Sequence, residues 1–115
     1  ACASAPVAAD GRAERGRVSV SVGGKAGFYY LPLTIAEQLG YFRDEGLEVE
    51  IVDFPGGSRA LKASLDRRVD VVSGAYEHTI DLQARGLAYQ AFVLQGRAPQ
   101  IAMGVSPRAF PQTGA

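Results

Sequence analysis

The chain has 115 residues, 47% of them hydrophobic and 21% charged, which is the make-up of one globular domain rather than of a disordered or fibrous segment. Twelve basic side chains balance twelve acidic ones, and no Lys/Arg cluster supplies the phosphate attraction on which a nucleic-acid partner depends. No run approaches the roughly 20 consecutive apolar residues of a membrane-spanning helix.

The single cysteine, Cys2, excludes an internal disulfide and a multi-cysteine metal site. It lies in a lead-in over residues 1–16 that is rich in small residues and has no apolar periodicity. Small residues around a lone N-terminal cysteine fit the end of a bacterial lipoprotein signal, with Cys2 as the acylated residue. Ala3-Ser4-Ala5 fits a plain A-x-A processing site instead. Either reading implies export to the periplasm or cell envelope, with a lipid at Cys2 as the one membrane contact; the third reading is an incidental thiol in a tail.

"VSVSV" (18–22) alternates at period two and stops at Gly23-Gly24, which predicts a strand. "LPLTIAEQLGYF" (31–42) puts Leu31, Ile35 and Leu39 on one helical face, with Pro32 in the first turn and Gly40 as a C-terminal cap. "GLEVEIVDF" (46–54) alternates again until "PGGS" breaks it. Ser58 is the expected N-cap of the next helix, "RALKASLDRR" (59–68), with Leu61 and Leu65 facing inward and Arg67 and Arg68 in the last turn.

"VDVVSG" (69–74) predicts a third strand. "AYEHTIDLQARG" (75–86) predicts a helix with Tyr76, Ile80 and Ala84 in register, closed by Gly86. "YQAFVLQ" (89–95) and "QIAMGV" (100–105) add two short strands. The order β-α-β-α-β-α-β-β calls for an α/β fold: a mostly parallel sheet, right-handed crossovers and helices on both faces.

In such sheets the ligand crevice lies beyond the carboxyl ends of the strands, where the strand order reverses. Three strands end there in glycine turns, "VGGKAGFYY", "FPGGSRAL" and "VSGAYEH". Glycines permit close approach of a ligand to the backbone, and free N–H groups at helix starts favour an anionic or strongly polar group.

"AEQLGYFRDEGLEVE", "FPGGSRAL" and "DVVSGAYEHTI", in that order and spacing, closely resemble the first lobe of the nitrate/sulfonate/taurine-type substrate-binding proteins of bacterial ABC importers, relatives of the thiamine-precursor family. The resemblance covers residues 17–106. It implies lobe 1 of a two-lobed receptor with the type II periplasmic-binding-protein fold, which traps a small solute between its lobes and delivers it to a membrane permease. Family members continue past "IAMGVSPRAF" into a second lobe, so residues 107–115 are expected to be a truncated hinge and the chain a fragment of a longer protein.

Within that frame Gly56, Gly57 and Ser58 are either a donor nest for a solute or turn chemistry alone. Phe28 and Tyr29 are either cleft walls or core, and one of Phe28, Tyr29 and Tyr30 is expected to pack beneath the first helix. Lys25 either pairs with an anion or is solvated. Ser73, Tyr76, Glu77 and His78 complete the set of ligand contacts; Glu77 and His78 read equally as capping or surface residues of a first helical turn.

Neither Glu77 nor His78 has a nucleophile or a second metal ligand at recognisable spacing, so no catalytic residue, metal or cofactor is expected. The rival readings are a thiamine-pyrimidine-synthase-like enzyme, whose cysteine-bearing metal motif this sequence lacks, and the effector-sensing domain of a regulator.

Overall fold

The computed structural model describes residues 16–97 and, beyond them, 104, 106 and 108. Cys2, the lead-in before residue 16, nearly all of the expected strand at 100–105 and most of the hinge at 107–115 lie outside the described residues. Three strands form one parallel sheet: β1 (Arg17–Val22), β2 (Glu48–Asp53) and β3 (Val71–Val72), in the order β2-β1-β3. Arg17 pairs with Glu48 through to Val22 with Asp53, and Val20 and Ser21 pair with Val71 and Val72.

Successive connections from β1 to β2 and from β2 back across to β3 run in opposite directions. Equal right-handedness therefore puts α1 (Leu31–Gln38) and α3 (Gly57–Leu65) on opposite faces. The first of the expected helices is split. A 3-10 turn (Phe28–Tyr30) leads into α1, and a second short helix, α2 (Tyr41–Asp44), follows Gly40. Gly40 sits at φ 79°, a left-handed conformation open to glycine at low cost, and this is what stops α1. Gly86 ends α4 (Glu77–Ala84) in the same way.

The core centres on Val20, Val22, Tyr30, Ala60, Ala63 and Leu82, all at most 7% exposed. Helix α3 packs through Ala60, Ala63 and Ser64 and not, as the leucine spacing suggested, through Leu61 and Leu65, the latter 36% exposed. The reason is distance: small residues let the helix backbone reach the sheet, where the Ser21 hydroxyl donates 3.0 Å to the Ala60 carbonyl. Leu31, Ile35 and Leu39 do share a face of the α1 segment, yet are 42–61% exposed, and Ile80 is 59% exposed.

Two further expectations are corrected. Arg67 and Arg68 lie past the end of α3 and close a Schellman motif, with the Arg68 amide donating to Ala63 and the Arg67 amide to Ser64. Arg67 stands at φ 57°, a conformation that strains any residue with a Cβ. Arg67→Gly is therefore expected to raise stability by about 0.5 kcal/mol, read from the urea midpoint at unchanged slope.

Residues 89–95 form no strand, and Phe92, Val93 and Leu94 are 63–74% exposed. A strand needs a backbone partner. This segment is tied instead by side chains at its two ends: Tyr89 shares a hydrogen bond with Ser64 at 3.1 Å, and Ser73 donates to Gln95 at 3.1 Å.

Candidate ligand-binding site

The strand order reverses beside β1, so the carboxyl ends of β1 and β3 mark the point where an open sheet leaves room for a ligand. There the first two glycine turns meet backbone to backbone. A Cβ on Gly23 would stand 2.3 Å from the Gly57 nitrogen and 2.5 Å from the Gly56 carbonyl carbon. The third turn joins through His78: its Nε2 is 3.8 Å from where a Cβ on Gly57 would stand, and its Cδ2 is 3.5 Å from the matching point on Gly74. Three segments far apart in sequence thus gather on one rim, with an imidazole between two of them.

Tyr30 holds the rim together. Of the three consecutive aromatics it is the buried one, 5% exposed, against 82% for Phe28 and 44% for Tyr29. Its hydroxyl accepts from the Gly23 amide at 3.0 Å and donates to the Ser73 carbonyl at 3.2 Å, linking the ends of β1 and β3. Tyr29 meets Tyr30 edge to face, with centroids 4.6 Å apart, and its ring covers Gly27. Phe28 projects into solvent.

The expected site residues divide by what already engages them. Lys25 Nζ lies 2.6 Å from Glu37 Oε2 in a half-buried pair, so its charge is met within the chain. Ser73 is buried and its hydroxyl goes to Gln95. Ser58 is not the N-cap of α3: that position is Gly56, and no side chain caps the helix. A glycine N-cap leaves the first amides of α3 without a side-chain acceptor. Tyr76, 67% exposed, and Glu77 open α4, whose first turn is free of a side-chain cap as well. His78 is half-buried beside Gly57 and Gly74.

Two residues of the rim were not foreseen. Asp53, the last residue of β2, accepts from the amides of Gly24 and Lys25, each at 2.9 Å through Oδ1. Gln95 reaches Ser73 from the segment after α4. The signal for Asp53 was an aspartate closing an alternating strand just before "PGGS", a position from which it faces the neighbouring turn. A cleft of about 210 Å³ between α1, α2 and β2, lined by Glu37, Phe42, Arg43 and Leu47 among others, lies at the amino end of β2 and is separate from this rim. Among the described residues no group of three or more His, Cys, Asp or Glu side chains is placed to hold a metal ion. No helix among them is long and apolar enough to cross a membrane.

A parallel α/β sheet with glycine turns gathered beyond the carboxyl ends of its strands is the class that this geometry defines. The chain belongs to the NMT1/THI5-like family, whose model matches residues 27–93, and that family has the periplasmic-binding-protein fold. It is 33% identical over 58 residues to "Putative binding protein YtlA" of Bacillus subtilis (strain 168), a match over 50% of this chain and 17% of that protein. A solved structure from Bordetella bronchiseptica RB50 is 58% identical, with a TM-score of 0.83 over 86% of this chain and 31% of that one. The chain therefore spans less than a third of the length of either relative.

Proposed function

We propose that this chain is the first lobe of the solute-binding component of an ABC importer. Residues 17–106 form the lobe, and it captures a small polar or anionic solute without transforming it. The observation that carries this reading is the meeting of Gly23, Gly56-Gly57 and Gly74 around His78 at the switch point of the sheet. Family membership and the name of the Bacillus relative support it.

On this reading the start of α3, which no side chain caps, and the His78 imidazole supply polar contacts, and the exposed rings of Phe28 and Tyr76 are available as apolar ones. In the whole protein a solute bridging two lobes would favour the closed form, which the permease reads. Export to the periplasm or cell envelope, with or without a lipid on Cys2, follows from the same reading.

The test is thermal unfolding of the full-length protein, with both lobes, against nitrate, alkanesulfonates, taurine, bicarbonate, pyrimidine precursors and aromatic acids. At least one is expected to raise the melting temperature saturably, because binding to the folded state alone adds to its stability. His78→Ala is expected to weaken that compound about tenfold, a loss the size of one hydrogen bond to a charged group. A panel that leaves the melting temperature unmoved removes the receptor reading. Recovery of the compound chemically altered would favour the synthase-like enzyme.

A further inference from the structure

The first glycine turn already holds an anion, and that anion belongs to the protein. Consecutive amides, those of Gly24 and Lys25, point at one oxygen of Asp53 at 2.9 Å each. Successive N–H groups converging in this way form the kind of concavity that binds phosphate or carboxylate groups. Gly24 adopts φ 103°, the backbone setting that turns the two amides to the same side.

The cation of this turn is engaged as well, since the Lys25 ammonium is 2.6 Å from Glu37. The remaining polar group of the turn, the Gly23 amide, donates to Tyr30. Each donor from Gly23 to Lys25 is thus satisfied within the chain. Across the rim the first turn of α4 carries no side-chain cap, its His78 and Thr79 amides donating to the Ala75 and Tyr76 carbonyls, and no hydrogen bond or ion pair of the His78 ring is formed among the described residues.

We propose that Asp53 is a specificity-determining positioning residue: its carboxylate fills the amide cradle of the first turn from within and confines an incoming anion to the side of the rim that carries Gly74 and His78. The proposal rests on the solute-binding reading for its role in selectivity, but the occupancy of the cradle is a property of the chain itself. A negative charge at the end of β2 also repels a second anionic group, so the rim favours solutes with one compact anionic end over dianions that would span both walls.

The experiment is an amide-resolved NMR titration of the full chain with inorganic sulfate as the probe, on the wild type, Asp53→Asn and Asp53→Ala. In the wild type the Gly24 and Lys25 amides are expected to hold their positions throughout. In Asp53→Ala they are expected to shift saturably, the emptied cradle taking up sulfate. Asparagine removes the charge but keeps an acceptor oxygen on the two amides, so Asp53→Asn is expected to show a response at least about tenfold weaker than alanine. Equal responses from the two variants would show that charge alone, and not occupancy, governs the turn, and would overturn the proposal. So would saturable sulfate shifts at Gly24 and Lys25 in the wild type.

Hydrogen exchange on the unmodified protein keeps the question decidable if Asp53→Ala does not fold. The Gly24 and Lys25 amides are expected to exchange at least about tenfold more slowly than unprotected amides; free exchange at both would mean that the carboxylate does not hold them. These readouts do not depend on which solute the protein carries. An empty compound panel with a closed first turn sinks the receptor reading alone, and a bound compound with an open turn sinks this one alone.

Discussion

Gly23→Ala is expected to destabilise the chain by about 3 kcal/mol or more, a large share of the 5–15 kcal/mol that a domain of this kind has in total. The added methyl would stand 2.3–2.6 Å from the nitrogen and Cα of Gly57 and the carbonyl carbon of Gly56. Those are backbone atoms, so no side chain can rotate aside. Either β1 shifts against its neighbours or the start of α3 is pushed off the sheet, and each costs packing at Val22 and Ala60, both 0% exposed. Urea unfolding followed by far-UV circular dichroism measures the loss. Gly16→Ala is the control, because a Cβ there meets nothing within 4 Å; it is expected to stay within about 0.5 kcal/mol of the parent. Comparable values for the two variants would mean that the first two turns do not touch.

Tyr30→Phe is expected to cost about 2–3 kcal/mol, although the ring is retained. The hydroxyl serves two backbone groups at once, accepting from the Gly23 amide and donating to the Ser73 carbonyl, in a side chain only 5% exposed. Removing it strands a donor and an acceptor together, and leaving a buried polar group unpaired costs about 1–3 kcal/mol. On the proposed solute-binding reading, solute affinity is expected to fall with stability, since the hydroxyl links the ends of β1 and β3 that border the rim. The same urea series checks it. A loss below about 0.5 kcal/mol would indicate that water enters and takes over both bonds.

What the sequence disclosed was what is local. Period two gave β1 and β2 to within a residue or two, and glycines at 40 and 86 marked the ends of α1 and α4 because only the backbone at that position decides the matter. The family resemblance rested on three ordered motifs, two of which, the segments holding Gly56-Gly57 and Gly74, the structure brings to the rim, and the family match over 27–93 agrees with it. The pairings across the rim were not legible. "FYY" offers three aromatics in a row, and only the 3-10 turn over them selects Tyr30 as the one that turns inward. Lys25 finds Glu37 on α1, and Asp53 finds an amide pair on a loop that the β1–β2 register brings alongside it.

Residues 89–95 failed as a strand for a related reason. Alternation of apolar and polar side chains states a preference, whereas a ladder needs a neighbouring edge with free groups at the right spacing, and β3 offers only a two-residue ladder. On α3 the leucines misled because the contact with the sheet is close enough to admit only alanine and serine. The spacing of Leu31, Ile35 and Leu39 was right as geometry but carries no information on what covers them.

The abutment of Gly23 on Gly56 and Gly57 has a mechanical side. Where main chain lies on main chain there are no rotamers to exchange, so the loop after β1 and the head of α3 must travel as one rigid jaw. On the proposed solute-binding reading, accommodation of solutes of different size falls to the other side of the rim, where the His78 imidazole beside Gly74 has rotamers to exchange. A receptor built this way would tune its selectivity through residues 74–78 and leave the opposite half of its grip unchanged.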